Sequence, residues 1–390
     1  MRIIHWYPNF LSGGAVATST ARLALSQAGA GAEVLIVAAA RDNGKVLYGV
    51  PGEAAAILQP WQPAWRVSAG GLVLRGVSRT DAKRFLAFAP DVVHAHGEFN
   101  PDNLWLPRIF RAPLVLSPRG AFHPMVLGKG KALAKRVYIA TAKRALYKRL
   151  AAFHAASPME AEHIQATCPS VPIYLVPQGL PIAESALSQT RGSPGSRARV
   201  EIIFVGRLDI YTKGLDLLLE AFGELSRRSS RAARLKVVGP DWHGGRRLLE
   251  ERARKLEITE LLDLVGEVTP DQVLHHLRSS DVYAQVSRHE GFSNSAAEAL
   301  LVGRPVVMSS EVGLASYPEI ASLPHVFVVR PDVDSIVGAL HEVVERLDPL
   351  TRSASEARPR LESFFSLERT AREHLGFYSR GLGRPLIPTA

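Results

Sequence analysis

Short apolar runs alternate with amphipathic helical patterns along the whole chain, and this alternation restricts the fold more than any other feature. Parallel strands need a crossover connection, which is usually a helix, so the pattern is typical of βα units around parallel sheets. The predicted strands are Arg2–Trp6, Glu33–Ala38, Val92–Ala95, Leu114–Leu116, Phe153–Ala155 and Ile173–Val176 in a first series, and Glu201–Val205, Leu235–Val238, Val282–Gln285, Val306–Met308 and Val326–Val329 in a second.

A segment rich in Ser, Gly and Arg separates the two series. It runs from Ser185 to Arg199 and has almost no large apolar residue, as interdomain linkers do. We therefore predict an α/β protein of two Rossmann-like, doubly wound domains, residues 1–184 and 200–365, followed by a C-terminal helix and tail, 366–390. This helix is expected to pack back toward the first domain. Such folds bind ligands outside the carboxyl ends of the strands, and we expect the ligand in a cleft that the two domains face.

The composition is that of a folded globular protein, with 46% hydrophobic and 22% charged residues. Cys168 is the single cysteine, so neither an internal disulfide nor a cysteine metal cluster is possible. The N-terminal residues lack the apolar region of a secretory signal, and no apolar run approaches the length of a membrane span. We expect a cytoplasmic protein, with a peripheral position on the inner face of the membrane as a variant of this prediction.

The positive charge is concentrated in the first half of the chain. Residues 1–190 contain 20 Lys+Arg and 10 Asp+Glu, and residues 191–390 contain 27 of each, so the whole net charge of +10 belongs to the first half. A basic domain indicates an anionic partner, which can be a membrane surface, a phosphorylated acceptor or nucleic acid.

The segment from His289 to Val307 is the strongest chemical signal. Glu290 follows a predicted strand, and Glu298 lies eight residues later, about one turn into a predicted helix that Gly303 ends. One carboxylate could meet a ligand at the loop and the other from the helix. The residues between them that we predict to bind substrate, partly through backbone amides, are Gly291, Phe292, Ser293 and Asn294. The spacing alone is equally compatible with a loop Glu and a solvated helix Glu.

Two cations follow the first strand of the second series. Arg207 and Lys213 lie between that strand and an amphipathic helix. A guanidinium that clamps oxygens and an ammonium point charge suit a diphosphate leaving group. The competing interpretation is a pair of solvated surface cations. The segment has no Walker A pattern.

The turn after the first strand contains Gly13 and Gly14. Two glycines allow a phosphate or a sugar to approach the backbone closely, although many Gly-Gly turns are only turns. The turn lacks the glycine pattern of dinucleotide-binding proteins.

Histidines and an arginine follow two further strands of the first series. His96 ends one strand, and Arg119 and His123 follow the next. We predict that these three side chains line the site. His94 is expected to point into the core, in alternation with His96.

Asp332 and Asp334 form a D-x-D sequence, which is a metal-binding signature in some enzymes. Here it precedes a predicted helix, and we interpret Asp334 as the helix N-cap. The sequence therefore predicts no metal site and no cofactor.

The run from Gly128 to Leu150 contains eight Lys and Arg residues and no acidic residue. A helix from Lys129 to Arg149 would carry an apolar stripe formed by Leu133, Val137, Ala140 and either Leu146 or Tyr147. Basic amphipathic helices bind anionic membranes. The alternative is a solvated helix whose stripe faces its own core.

Two of these segments resemble retaining glycosyltransferases of family 4, which have the GT-B fold. The segment of Glu290 and Glu298 is similar to the family's E-x7-E motif, in which the first Glu contacts the transferred sugar and the second the ribose. The segment of Arg207 and Lys213 is similar to the family's G-R-L…K-G-L-D motif, whose cations bind the donor pyrophosphate. The Gly-Gly turn resembles the family loop that contacts donor phosphate and acceptor.

The resemblance implies sugar transfer from a nucleoside diphosphate to a saccharide or lipid-linked acceptor, with retained configuration and no metal. Surface polysaccharide assembly is the setting it suggests. Many family members have His-Gly where this chain has Arg119-Gly120, so either Arg119 or His123 takes the role of that histidine. The alternatives are a nucleotide-sugar epimerase, a phosphorylase, a Rossmann dehydrogenase, whose fingerprint is missing, and a nucleic-acid-binding protein, for which no recognition motif is present.

Overall fold

The computed structural model describes residues 1–40, 51–69, 72–128, 130–181 and 199–380. The chain divides into two compact units. Unit 1 comprises Met1–Pro181 with Ser366–Ala390, and unit 2 comprises Ile182–Phe365. The predicted linker lies outside the described residues except for Arg199, as do Lys129 and the tail from residue 381.

Unit 1 contains a seven-stranded sheet in which every pairing is parallel. Its strand order is β3-β2-β1-β6-β7-β8-β9, and β4 and β5 form a separate antiparallel hairpin. The strands are β1 (Arg2–Trp6), β2 (Glu33–Ala39), β3 (Leu58–Trp61), β4 (Arg66–Ala69), β5 (Leu72–Arg75), β6 (Val92–His96), β7 (Leu114–Ser117), β8 (Leu150–Ala155) and β9 (Ile173–Leu175).

Helices connect the parallel strands of unit 1, and short 3-10 turns occur at Phe10–Ser12, Gly52–Ile57, Pro101–Trp105 and Tyr147–Arg149. The helices are α1 (Ala15–Gly29), α2 (Arg79–Ala87), α3 (Leu106–Ile109), α4 (Pro124–Gly128), α5 (Ala132–Ala145) and α6 (Pro158–Thr167). Local chemistry sets the start of α6, because Ser157 accepts a hydrogen bond from the amide of Glu160 at 3.1 Å and Pro158 occupies the first helical position.

Unit 2 contains a six-stranded parallel sheet with the order β12-β11-β10-β13-β14-β15. The strands are β10 (Val200–Val205), β11 (Ala233–Val238), β12 (Leu262–Gly266), β13 (Val282–Gln285), β14 (Val306–Ser309) and β15 (Val326–Val329). The helices are α7 (Leu215–Arg228), α8 (Gly245–Lys255), α9 (Pro270–Ser279), α10 (Asn294–Leu301), α11 (Pro318–Ala321), α12 (Val333–Glu345) and α13 (Leu347–Phe365). Thr269 and Gln272 form a reciprocal capping box at α9.

The last helix, α14 (Leu367–Arg380), packs on unit 1, as the sequence predicted. The ring of Phe377 stacks on Tyr174 with centroids 3.8 Å apart, and both residues are buried in the core of unit 1. No described helix has both the length and the apolarity to cross a membrane.

The strand order reverses once in each sheet, between β1 and β6 in unit 1 and between β10 and β13 in unit 2. Connections leave in opposite directions at such a point and open a crevice at the carboxyl ends of the strands, where doubly wound folds bind ligands. The predicted site segments follow these strands, or β7 beside them. The fold thus confirms the predicted α/β architecture of two Rossmann-like sheets.

All eleven predicted strands are present, with ends that differ by no more than three residues. The sequence missed β3, β4, β5 and β12. Strands β3 and β12 are sheet edges, and Pro60 and Asp263 interrupt their apolar pattern. An edge strand tolerates such residues because one side of it makes no ladder hydrogen bonds.

Two local predictions are wrong. Asp332, not Asp334, caps α12, because its carboxylate accepts the amide of Ser335 at 2.9 Å. His94 is buried in the core as expected, but it does not alternate with His96. Residues two apart on a strand share a face, and the two imidazoles stack with centroids 4.3 Å apart.

The basic segment is not one continuous helix. Helix α5 ends at Ala145, and a 3-10 turn covers Tyr147–Arg149. The predicted stripe is divided: Leu133 is 76% exposed and Val137 is 58% exposed, whereas Leu146 and Tyr147 are buried.

Candidate functional site

The loop between β10 and α7 brings Lys213 to the carboxyl end of β13. Gly214 makes this approach possible: its φ is +65°, and a Cβ there would lie 2.0 Å from the carbonyl oxygen of Val286. Any other residue would push the two loops apart. The close approach of the two loops therefore requires glycine at position 214, and the sequence alone did not reveal this requirement.

Lys213 and Glu290 form an ion pair between the side-chain ammonium and carboxylate. Burial raises the pKa of Glu290, but the charge and hydrogen bond of Lys213 outweigh it, so the pKa is lower than usual. Gln285 is also within reach of the carboxylate, at 3.4 Å. The backbone of Glu290 is fixed by an isolated bridge to Val312. The carboxylate is thus ionised and held in place at neutral pH.

Arg207 lies on the same loop but is 46% exposed. Its guanidinium is 3.6 Å from Asp209 and lies over the ring of Trp242, 4.7 Å from the centroid. Trp242 is itself 43% exposed and belongs to the loop after β11. Gly239 holds that loop against the Arg207 loop, because a Cβ there would lie 2.0 Å from the carbonyl oxygen of Gly206. The sequence did not single out Trp242, since no motif includes it.

Arg288 holds the same loop through an ion pair, a hydrogen bond and a stacking contact. Arg288 makes a bidentate ion pair with Asp216, with distances of 2.7 and 2.8 Å, and also donates to the carbonyl of Tyr211 at 2.8 Å. Its guanidinium lies 4.3 Å from the centroid of the Tyr211 ring. This contact joins the segment before Lys213 to the segment before Glu290, and no sequence motif indicates it.

Helix α10 begins immediately beyond Glu290. Ser293 has a φ of +88° and caps the helix by accepting the amide of Ala296 at 3.2 Å. Asn294 is the first helical residue, and its Oδ1 is buried without a partner among the described residues. Glu298 lies one turn later and is partly buried. The helix N-terminus therefore faces the same end of the sheet as Glu290.

The predicted role of Phe292 uses its backbone amide, and its side chain belongs to the core of unit 2. Its ring is 2% exposed and packs edge-to-face against Tyr317 and Phe365. Within the described residues its amide has no acceptor, although its carbonyl accepts the amide of Leu314 at 3.0 Å. The buried ring leaves the backbone as the part of Phe292 that could meet a ligand, and substrate binding by Phe292 and Gly291 stays a prediction.

In unit 1, Gly13 and Gly14 form the turn before α1 with φ values of +69° and +88°. Gly14 is exposed and caps the helix, and nothing lies within 4 Å of the position its Cβ would take. The backbone at Gly14 is consequently open to an approaching group, and the binding of a phosphate or sugar at this turn stays a prediction.

Unit 1 also contains a buried hydrogen-bonded network of five histidines, and His96 belongs to it. Its members are His5, His94, His96, His154 and His374. A nitrogen of each of the first three lies within 4.8 Å of the others, which is a possible metal geometry. All six of their nitrogens, however, already have hydrogen-bond partners, and the positive charge of Arg119 opposes a cation. We interpret the cluster as a hydrogen-bonded network.

Donor groups at one end of the network fix the positions of its protons. Arg119 donates to Nδ1 of His96 at 3.2 Å, so Nε2 of His96 must donate to His5 at 2.9 Å, and His5 donates to Gln27 at 2.8 Å. Burial lowers the pKa of His5 to about 4 and that of His154 to about 3. The imidazoles are therefore neutral at physiological pH.

The same reasoning orders the second branch. His154 donates to the carbonyl of Val176 at 2.9 Å and accepts from Ser117 at 2.7 Å, so Ser117 accepts from His94 at 2.7 Å. His94 then accepts from the hydroxyl of Tyr378 at 2.6 Å, which links α14 to the sheet.

The structure brings Arg119 and His96 together but turns His123 elsewhere. His123 is buried, its ring lies edge-to-face against His163 with centroids 4.8 Å apart, and its Nδ1 accepts the amide of Met125 at 3.2 Å. Arg119 adopts a left-handed φ of +61° and is only partly buried. Which of the two takes the histidine role stays a prediction, but in this arrangement Arg119 is the one beside His96.

Known proteins resemble both units. Residues 14–179 match the model of the glycosyl transferase 4-like domain, and residues 199–346 match the model of glycosyl transferases group 1. The MMP alpha-(1->4)-mannosyltransferase of Mycolicibacterium hassiacum is 26% identical over 215 residues, which cover 54% of this chain and 49% of that protein. The match thus spans about half the length of this curated relative.

Solved structures share the fold over nearly the full length of the chain. Sucrose-phosphate synthase from Thermosynechococcus elongatus has a TM-score of 0.75 at 16% identity and covers 97% of this chain and 98% of its own. Anabaena HepE, solved with UDP and glucose, has a TM-score of 0.71 at 15% identity, with coverage of 97% and 99%. The structural likeness shows a shared GT-B fold, and the two family matches, which together span most of the chain, show that it belongs to the group 1 glycosyltransferases.

Proposed function

We propose that the chain transfers a sugar, with retained anomeric configuration, from a nucleoside-diphosphate sugar to a saccharide or lipid-linked acceptor, in surface polysaccharide or glycolipid synthesis. The observation that carries the proposal is the Lys213–Glu290 ion pair at the carboxyl end of β13, with Arg207 on the same loop as Lys213. The similar proteins support it, because they include a mannosyltransferase and a protein whose crystal structure holds UDP and glucose.

The charges in unit 2 suit the departure of a diphosphate. Bond cleavage moves negative charge onto the leaving phosphate, and preorganised cations stabilise that charge most strongly in the transition state. Arg207 presents an exposed planar guanidinium, and Lys213 presents an ammonium whose charge already faces Glu290. We assign both cations to the diphosphate.

Glu290 is assigned to the transferred sugar and Glu298 to the ribose. The lowered pKa of Glu290 keeps its carboxylate ionised, so it can accept hydrogen bonds from sugar hydroxyl groups. Glu298 lies one turn into α10, beyond the amides of Gly291 and Phe292, with Ser293 and Asn294 between. Retention by attack of the acceptor on the face that the diphosphate leaves needs no enzyme nucleophile.

We further propose that transfer needs no divalent metal. Arg207 and Lys213 supply the positive charge that a metal gives to other transferases. Asp332 is committed elsewhere, because its carboxylate accepts the amide and the hydroxyl of Ser335 at 2.9 and 3.0 Å.

Unit 1 is proposed to rest on an anionic membrane through α5. The exposed Leu133 and Val137 share this helix with the exposed cations Arg136, Lys143 and Arg144. An apolar residue that reaches the acyl boundary and cations that meet lipid phosphates are the features of an interfacial helix. The burial of Leu146 and Tyr147 limits this surface to α5 itself, Ala132–Ala145, which is about four helical turns.

Nucleotide binding and turnover test the donor assignment separately. Glu298→Ala should weaken UDP or GDP binding by about 1.5–3 kcal/mol, the worth of a hydrogen bond to a charged group, as measured by calorimetry. Arg207→Ala and Lys213→Ala should depress turnover more than they depress nucleotide affinity. Wild-type protein that binds neither UDP nor GDP would refute the proposal, and Glu298→Ala with unchanged affinity would refute the ribose assignment.

A further inference from the structure

Arg119 is a charged side chain whose hydrogen-bonding capacity is mostly unused. A guanidinium has five N–H groups. In the described structure one of them donates to His96, at 3.2 Å, and Nε is buried with no acceptor. No described carboxylate lies within ion-pair distance of it. Arg119 is partly withdrawn from water, and a charge in that position with so few hydrogen-bond partners is costly unless a ligand completes them.

The surroundings keep Arg119 from being neutralised. His96 and the histidines behind it are uncharged, because each donates and accepts along the ordered network. Glu160 is the nearest acid in electrostatic effect, but its oxygens accept the amides of Gly120 at 2.6 Å and Ala156 at 2.8 Å. The Glu160 carboxylate therefore binds backbone amides and forms no ion pair with the guanidinium of Arg119.

A small cavity adjoins Arg119 at the carboxyl ends of β7, β8 and β9. Ser19, Gln178, Thr370 and His154 supply polar groups to its wall. The left-handed φ of Arg119, +61°, turns the loop at this point. Strain of this kind persists where the surrounding structure holds a side chain in a required position.

We propose that Arg119 is the anion-binding residue of unit 1 and takes a carboxylate or phosphate group of a substrate through its free N–H groups. Planar, bidentate recognition of such groups is what distinguishes arginine from lysine. His96 is the positioning residue that orients the guanidinium. The ligand's identity as a substrate rests on the proposed transferase function, whereas the anion site itself does not.

Inorganic phosphate is the probe that tests this site. Calorimetric titrations would compare the full chain with Arg119→Gln, Arg119→Lys and the control Arg111→Gln, an exposed arginine of the same unit. Saturating UDP in each sample keeps phosphate away from Arg207 and Lys213. We expect one saturable site in the wild type, a loss of at least tenfold in Arg119→Gln, a smaller loss in Arg119→Lys, and no change in Arg111→Gln.

Two competitors then identify the group that the site prefers. Displacement of phosphate by methyl glucuronide indicates a sugar carboxylate, and displacement by glucose 6-phosphate indicates a phosphorylated sugar. Wild-type affinity in Arg119→Gln would mean an adventitious ion only and would overturn the proposal, as would the absence of saturable binding in the wild type. If Arg119→Gln does not fold, wild-type affinity in Arg119→Lys overturns it, because lysine lacks the fork.

Thermal shifts with UDP and GDP on the same samples separate this proposal from the transferase function. Arg119→Gln should keep the nucleotide shift of the wild type, because the nucleotide residues belong to unit 2. A wild-type protein with no nucleotide shift would refute the transferase function. The phosphate titrations would still decide whether Arg119 binds an anion.

Discussion

At the scale of single residues, the candidate donor site depends on side chains that hold one another. Lys213 forms an ion pair with Glu290, Arg288 forms one with Asp216, and Arg207 stacks on the ring of Trp242. Pairing fixes long side chains that would otherwise lose conformational entropy when a ligand binds. Arg207 is the least constrained of the three cations, because it is the most exposed.

Trp242 should therefore matter although no motif contains it. A cation–π contact at an exposed position is worth about 0.5–1 kcal/mol, so Trp242→Ala should weaken UDP or GDP binding and raise the donor KM by about two- to fivefold. Trp242→Phe keeps an aromatic face and should retain most of the affinity. Trp65→Ala, at an equally exposed tryptophan of unit 1, is the matched control, and equal donor KM values for Trp242→Ala and wild type would contradict the role.

At the scale of elements, α5 and α14 illustrate two uses of a helix face. Helix α5 turns Tyr138 and Ala142 inward and leaves apolar Leu133 and Val137 outward among cations. Helix α14 instead buries a polar face, because His374 and Tyr378 complete the histidine network of unit 1. The first is a candidate interface and the second is an interior contact.

The membrane surface can be tested by separating charge from apolar contact. Each basic residue near an anionic surface contributes about 1 kcal/mol, within a Debye length. Converting Lys135, Arg136, Lys143 and Arg144 to Gln should abolish sedimentation with anionic liposomes at low salt, and Leu133→Ser with Val137→Ser should weaken it. Conversion of Arg246, Arg247 and Arg252 of unit 2 to Gln is the control and should have no effect. Sedimentation of the quadruple variant like the wild type would place the surface elsewhere.

The histidine network predicts loss of stability in acid. The folded-state pKa values of His5 and His154 lie near 4 and 3, below the usual 6.5, so the unfolded chain binds protons first as the pH falls. The stabilising contribution is complete above pH 6.5 and declines below it, by about 1.4 kcal/mol per pH unit for each histidine that stays neutral. Urea midpoints should fall between pH 7 and pH 5.

Histidine substitution provides the control for that pH dependence. His374→Gln removes one titrating group while keeping a hydrogen-bonding side chain, so its midpoint should depend less steeply on pH than that of the wild type. Parallel curves for the two proteins, or a midpoint that does not change between pH 7 and pH 5, would show that the network does not set the acid stability.

At the scale of the whole molecule, the two units divide the chemistry between them. Unit 2 holds Arg207, Lys213 and the two glutamates, whereas the first half of the chain holds the net charge of +10. Transfer should then be indifferent to metal removal. Turnover in EDTA should equal turnover with added Mg²⁺ or Mn²⁺, because the positive charge comes from the side chains of Arg207 and Lys213, which a chelator cannot remove. A complete loss in EDTA that Mn²⁺ restores would refute the metal-free proposal.

The sequence by itself determined the βα alternation, the eleven strands and the helix caps at Ser157 and Thr269, because these depend on the periodicity of apolar residues and on hydrogen bonds between near neighbours. It also placed Glu290 in the loop after a strand and Lys213 in the loop between a strand and a helix. It did not predict the edge strands β3 and β12, whose pattern is broken by residues that only an edge tolerates.

Tertiary structure decided the contacts between residues far apart in the chain. The pairing of Lys213 with Glu290, the stacking of Arg207 on Trp242 and the network from Arg119 to His374 join residues that local periodicity does not relate. The two faces of α5 were also decided there, because apolar residues occur on both sides of that helix and only the packing of Tyr138 and Ala142 selects the buried one. Local sequence patterns reflect interactions between residues close in the chain. Which residues are buried depends instead on the distant segments that pack against them.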